Sequence, residues 1–252
     1  MGITETFDDT TEEIFKPSLM AKKIEGFPET VIVTSSKKML VILTKISNAE
    51  VISTDQAGME VPIYKTEYKG KEIAFYLTRS GGPATVGFLE EIIVKGGKKI
   101  LLFGAAGSLD KNITDGQIVI PSFAYRDEGT SYHYVSAQAG DFIEIKTAKR
   151  LMKIFSEIGI PAIEGKTWTT DAIYRETYRN KELRKKAGCI TVEMECASVM
   201  AMAEFRKVDI YQFLYTTDNL DGKEWEPRFL GNMSWDTREK YVRIALEAAI
   251  RL

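Results

Sequence analysis

Lys98-Lys99-Ile100-Leu101-Leu102-Phe103-Gly104-Ala105-Ala106-Gly107-Ser108-Leu109 reads as a buried strand that runs into a turn of small residues. Four apolar side chains in a row, Ile100 to Phe103, leave no polar face for water, as expected of a strand covered on both sides. Further runs of this kind lie outward from it: 31–34 (VIVT), 39–44 (MLVILT), 72–78 (EIAFYLT), 116–121 (GQIVIP), 189–194 (CITVEM) and 210–216 (IYQFLYT). Helical stretches are expected between them at 84–95, 147–158, 198–206 and 234–252. The last is capped at Ser234 and carries Val242, Leu246, Ala249 and Ile250 on one face. Strands alternating with helices predict an α/β fold, a single domain with a twisted, mostly parallel central sheet flanked by helices. No linker or repeat divides residues 31–252, which form that domain. Residues 1–30 read as a polar N-terminal arm with a short helical piece around 18–24.

The 252 residues balance 34 Lys+Arg against 36 Asp+Glu, and 44% are hydrophobic, enough for a full core. A net charge of −2 supplies no basic field for a polyphosphate backbone, so no nucleic-acid partner is expected and a small substrate is. One histidine, His133, and two cysteines, Cys189 and Cys196, can assemble neither a disulfide framework nor a CxxC zinc pattern; no metal is expected. His133 itself reads as a loop histidine. No apolar run reaches membrane-span length, and MGITETFDDTTEE has neither the basic start nor the apolar stretch of a signal peptide. A cytoplasmic protein without a membrane partner is the expectation.

In open α/β sheets ligands sit beyond the carboxyl ends of strands, so the residues after each apolar run carry the functional reading. They are Arg79-Ser80-Gly81-Gly82-Pro83, Gly104-Ala105-Ala106-Gly107-Ser108, Glu193-Met194-Glu195, and Asp218-Asn219. The Gly104–Gly107 turn lets backbone approach a ligand and aim N–H groups at an anion; the bland alternative is a tight turn and nothing more. Glu193 and Glu195 enter an Ala/Met-rich helix, where a buried carboxylate needs donors, and a sugar diol supplies two hydroxyls. The bland reading has one glutamate capping the helix, which suits Glu193 better than Glu195. Asp218 ends an apolar strand, where partial desolvation favours a protonated carboxyl and hence a general acid; a plain turn opener is the alternative. Trp168 offers a face that can stack on a base, or it is core.

Taken in order, YKGKEIAFYLTRSGGP, KKILLFGAAGSL, ITDGQIVIP, TTDAIYRET, VEMECASVMAMAEF and YTTDNL resemble the purine nucleoside and uridine phosphorylases, over roughly residues 30–250. The resemblance implies a nucleoside phosphorylase-like fold assembled as a homodimer or homohexamer. It also implies cleavage of a nucleoside's N-glycosidic bond, with inorganic phosphate as co-substrate and no other cofactor. On matching positions, Glu195 grips the ribose 2′- and 3′-hydroxyls, Met194 lies under the sugar, Trp168 stands beside the base and Asp218 protonates N7 of a purine. The stretch Arg175-Glu176-Thr177-Tyr178-Arg179 lacks the Gln of the uridine-specific branch, which favours purine, whereas RDEGTSYHY (126–134) looks more like the uridine branch.

The phosphate side departs from the family pattern. The first turn reads Thr34-Ser35-Ser36-Lys37-Lys38, Leu102 stands where an arginine is usual, and Ala105 stands where a hydroxyl is usual. Phosphate then falls to the backbone at Gly104 and Ala105 and to Lys37, Lys38, Arg79 or Arg126. Charge-assisted bonds contribute about twice a neutral one, so weak phosphate affinity is expected. Two further readings stay open: a phosphate-independent nucleoside hydrolase, and a non-catalytic nucleoside-binding protein.

Overall fold

The computed structural model describes residues 2–55 and 60–252. Its ten strands are β1 (Thr30–Thr34), β2 (Glu50–Asp55), β3 (Val61–Tyr68), β4 (Lys71–Leu77), β5 (Lys99–Ser108), β6 (Ile118–Asp127), β7 (Phe142–Glu144), β8 (Ile163–Thr170), β9 (Cys189–Glu193) and β10 (Asp209–Asn219). The helices are α1 (Pro17–Met20), α2 (Lys37–Ser47), α3 (Gly82–Lys95), α4 (Ala148–Glu157), α5 (Tyr178–Lys186), α6 (Cys196–Arg206) and α7 (Trp235–Ala249). All the strands belong to one sheet, ordered β10-β6-β8-β9-β5-β1-β4-β3-β2 with β7 on β6. Because β10 also pairs with β5, the strands β5-β10-β6-β8-β9 close into a ring. The α/β class is as the sequence predicts. The sheet is mixed: β4-β1-β5-β10 and β6-β8-β9 run parallel, and the remaining pairings are antiparallel.

Two expectations are corrected. Residues 39–44 are not a strand but the middle of α2. Ser36 caps that helix by accepting the Met39 N–H, and Met39, Ile42 and Leu43 are its buried face, a three- and four-residue spacing that a strand cannot bury on one side. The small residues 104–107 are not a turn either. β5 continues through them because β10 runs alongside from Asp209 opposite Lys99 to Asn219 opposite Ser108, its ladder interrupted by a bulge between Thr216 and Asp218. Gly107 is needed for close approach: a Cβ there would lie 2.5 Å from Leu220 Cδ1 and 3.1 Å from Val192 Cγ1.

α3 starts at the Gly-Gly-Pro segment, with Pro83 in its first turn, and α7 starts at Ser234, whose side chain accepts the Thr237 N–H. The helical piece near residue 18 is only Pro17–Met20. β2, β3, β7, β8 and α5 have no counterpart among the predicted elements. Among the described residues no helix is long and apolar enough to cross a membrane, and no group of three or more His, Cys, Asp and Glu is gathered to hold a metal ion.

Candidate active site

β1 ends with Thr34 opposite both Leu77 of β4 and Phe103 of β5, all three strands pointing the same way. The segments that follow, 35–37, 78–81 and 104–106, therefore emerge side by side. On the edge of β5 away from β10, pairing with β1 stops at Phe103 and pairing with β9 begins at Gly107. Gly104 to Ala106 thus have a strand partner on one side only. Ala105 is exposed, and a Cβ on Gly104 would meet nothing within 4 Å, so the backbone is open to a ligand here. Lys37, exposed, is the first residue of α2, and Arg79, also exposed, lies just past β4.

β9 runs antiparallel to β5, with Val192 opposite Gly107, so the chain after Val192 travels back toward Gly104 and brings Met194 and Glu195 there. The division of labour between the two glutamates is clear. Buried Glu193 accepts the N–H groups of Glu195 (2.8 Å) and Cys196 (2.7 Å) and the Thr169 hydroxyl (2.6 Å), which satisfies the start of α6. That leaves the half-buried Glu195 carboxyl to turn outward, where it accepts the Gly81 N–H at 2.6 Å. Burial raises the pKa of both glutamates, and the charge of Glu195 adds to the effect on Glu193.

Half-buried Asp218 sits on β10 directly opposite Gly107, so it lies farther along β5 than Glu195 does. Its carboxyl accepts the Trp225 indole N–H at 2.8 Å and the Thr217 hydroxyl at 3.0 Å. Among the described residues, no lysine or arginine forms an ion pair with Glu195 or Asp218. Beyond Asp218 opens a cavity of about 490 Å³ whose walls include Ile173, Tyr174, Glu176, Trp225 and Leu230. Glu176 stands beside Asp218 there, and burial, with the Asp218 charge adding, pushes its carboxyl up to about 7. A larger hollow of about 720 Å³ lies elsewhere, between residues 8–20 and α3, and holds none of the candidate residues.

Residues 29–250 match the sequence pattern of the Phosphorylase superfamily. The chain belongs to that superfamily. It is 26% identical to a DeoD-type purine nucleoside phosphorylase of Exiguobacterium over 190 residues, 73% of this chain and 78% of the relative. With the purine nucleoside phosphorylase of Plasmodium falciparum it shares 30% over 202 residues, 75% and 81% of the two chains. A uridine phosphorylase of Thermococcus kodakarensis is 30% identical over 108 residues, 43% of this chain and 39% of that one. The crystal structure of the Toxoplasma gondii purine nucleoside phosphorylase with immucillin-H superposes with a TM-score of 0.76 at 20% identity, covering 90% and 93%, which establishes the shared fold.

Within this superfamily fold two sequence-based site expectations need correction. Trp168 offers no platform: it is 1% exposed, packed with Leu109, Cys189 and Val192, and its indole donates to Asp127 at 2.9 Å. Arg126 is not available to phosphate, because its buried guanidinium donates to the carbonyls of Val135, Ser136 and Gly140 and to the Ser131 hydroxyl. His133 ends a short 3-10 helix, Thr130–His133. The cavity residues Ile173, Tyr174, Trp225 and Leu230 were not singled out from sequence. The available signal was their hydrophobicity in otherwise polar loop segments, which marks a surface with something to bind.

Proposed function

We propose that this protein cleaves the N-glycosidic bond of a purine nucleoside with inorganic phosphate, giving free base and ribose 1-phosphate. One observation carries the reading. Along β5 the candidate groups converge: Met194 and Glu195 are carried back to the open backbone at Gly104 and Ala105, and Asp218 with its cavity lies farther along, opposite Gly107. Phosphate meets the open backbone, with Lys37 and Arg79 as the nearby cations. The ribose lies over Met194 with its 2′- and 3′-hydroxyls donating to Glu195, and the base faces Asp218. A phosphate oxygen bonds to C1′ as the C1′–N9 bond breaks, its electron pair passes to the base, and the Asp218 carboxyl gives a proton to N7. Among the described residues no lysine or arginine neutralises Glu195 or Asp218, whose bonds come from the Gly81 N–H and from Trp225 and Thr217, which supports their use on a ligand. The two purine nucleoside phosphorylases named above, of Exiguobacterium and Plasmodium falciparum, support the purine assignment, as does the absence of a Gln from residues 175–179. A homodimer or homohexamer is part of the proposal, readable by light scattering.

Incubation with inosine, adenosine, guanosine and uridine, with and without phosphate, tests it. Phosphate-dependent release of a purine together with ribose 1-phosphate is expected. Equal release without phosphate would transfer the assignment to a hydrolase, a reading favoured by the commitment of Arg126 elsewhere and by Leu102. Saturable binding without release would make it a binding protein.

A further inference from the structure

We infer that the base side of this site takes purine nucleosides whose position 6 carries an apolar, alkyl- or aryl-sized substituent. The inference rests on the reading that Asp218 meets N7. In a purine, N7 and the substituent on C6 project from the same side of the bicycle, flanking C5. A carboxyl that holds N7 therefore has the 6-substituent next to it. Here the space next to Asp218 is the cavity of about 490 Å³. Its apolar walls come from three parts of the chain: Ile173 and Tyr174, Tyr178 at the start of α5, and Leu220, Trp225 and Leu230 after β10.

These side chains are unusually exposed for their type: Tyr174 96%, Tyr178 65%, Trp225 55% and Ile173 50%. Exposed apolar groups converging on one hollow mark a binding surface. An alkyl or aryl group at position 6 would be removed from water against the apolar walls, a contact that a bare oxo or amino group is too small to make. Several of the polar groups facing the cavity are engaged within the protein. Lys181 is turned to the Gly222 carbonyl and the Tyr178 ring, Tyr178 donates to the Lys223 carbonyl, and Thr177 caps α5 through the Asn180 N–H. Glu224 also lines it, and Glu176, beside Asp218, is placed to accept the N–H of a secondary amine at position 6. The Trp225 indole N–H already occupies one Asp218 oxygen, so the 219–226 loop, closed by the Asn219–Glu226 bridge, holds the aromatic wall against that position.

Calorimetric titration of the full chain with adenine and with N6-benzyladenine tests the inference, followed by cleavage assays on adenosine and N6-benzyladenosine with phosphate. The substituted base should bind at least about tenfold tighter, from burial of the added ring. Leu230→Asp and Trp225→Ala should each move the ratio toward one. A ratio of one or less in the unaltered protein overturns the inference. So does a ratio that neither substitution changes, which would assign the apolar wall to another use such as contact between copies. Cleavage of adenosine without any preference leaves phosphorolysis standing and removes the subsite. Preferential binding without cleavage of any nucleoside keeps the subsite and removes phosphorolysis.

Discussion

Replacing Gly82 with alanine should disturb the Glu195 site from a distance. Gly82 opens α3 where that helix crosses α6. A Cβ there would lie 2.1 Å from Ser198 Oγ and 2.7 Å from Ser198 Cβ, well inside the 3.4–4 Å of ordinary contact. The Ser198 hydroxyl can rotate away, although only by giving up its bond to Glu128, but its Cβ cannot withdraw unless α6 moves. Overpacking of this kind costs roughly 2–3 kcal/mol, or about 5–10 °C in melting temperature for a chain of this length. The separation of α3 and α6 also stretches the 2.6 Å bond from the Gly81 N–H to Glu195, so kcat/KM should fall with stability. Ser198→Gly removes both clashing atoms, at roughly 1 kcal/mol for glycine within a helix and about 1 kcal/mol for the lost hydrogen bond. In that background Gly82→Ala should cost almost nothing, a coupling of about 2 kcal/mol in a double-mutant cycle followed by thermal or urea unfolding. Were Gly82→Ala equally harmful in both backgrounds, or harmless in both, the packing argument for the α3–α6 crossing would be refuted.

Asp218→Asn should lower purine-nucleoside cleavage by about 10²- to 10⁴-fold with little change in ground-state affinity, whereas Glu195→Ala should weaken both; steady-state kinetics showing equal, minor effects would remove both assignments. Glu193→Ala strands the Glu195 and Cys196 N–H groups and the Thr169 hydroxyl, at about 1–3 kcal/mol each, and should lower the melting temperature far more than Glu193→Gln does. Glu176 has a folded pKa of about 7 against an ordinary 4.5, so the folded state keeps its proton longer than the unfolded chain. Stability should therefore fall as pH rises between those two values, and Glu176→Gln should flatten that part of a stability-versus-pH curve; an unchanged curve counts against burial of this carboxyl.

Part of the candidate site was legible in the sequence. Glu195 and Asp218 stood out as carboxyls at the ends of apolar strands, and the capping reading suited Glu193, whose carboxyl does receive the first N–H groups of α6. Gly104 to Gly107, proposed for the phosphate side, were expected to form a turn and are strand. Glycine and alanine after an apolar run mark a turn by local preference, and only the neighbouring β10 ladder extends β5 through them. Trp168 was set beside the base by the resemblance, and the structure follows the other reading of it, as core. Tyr125 and Val192, opposite it on the flanking strands, show that it is interior.

The sequence by itself determined the elements whose signals are local. Continuous apolar runs specified β1, β4, the first half of β5 and β10, while the Gly-Gly-Pro start of α3 and the Ser234 cap of α7 specified helix beginnings. The five apolar residues 39–43 fit either period, and their choice of helix was made by the Ser36 cap and by what Met39, Ile42 and Leu43 bury against. Only the tertiary structure decided the base side, where Ile173 and Tyr174 meet Trp225 and Leu230 from some fifty residues away along the chain. Hydrophobic periodicity registers neighbours within one turn or one strand, and it carries no record of which distant loops close over the same hollow.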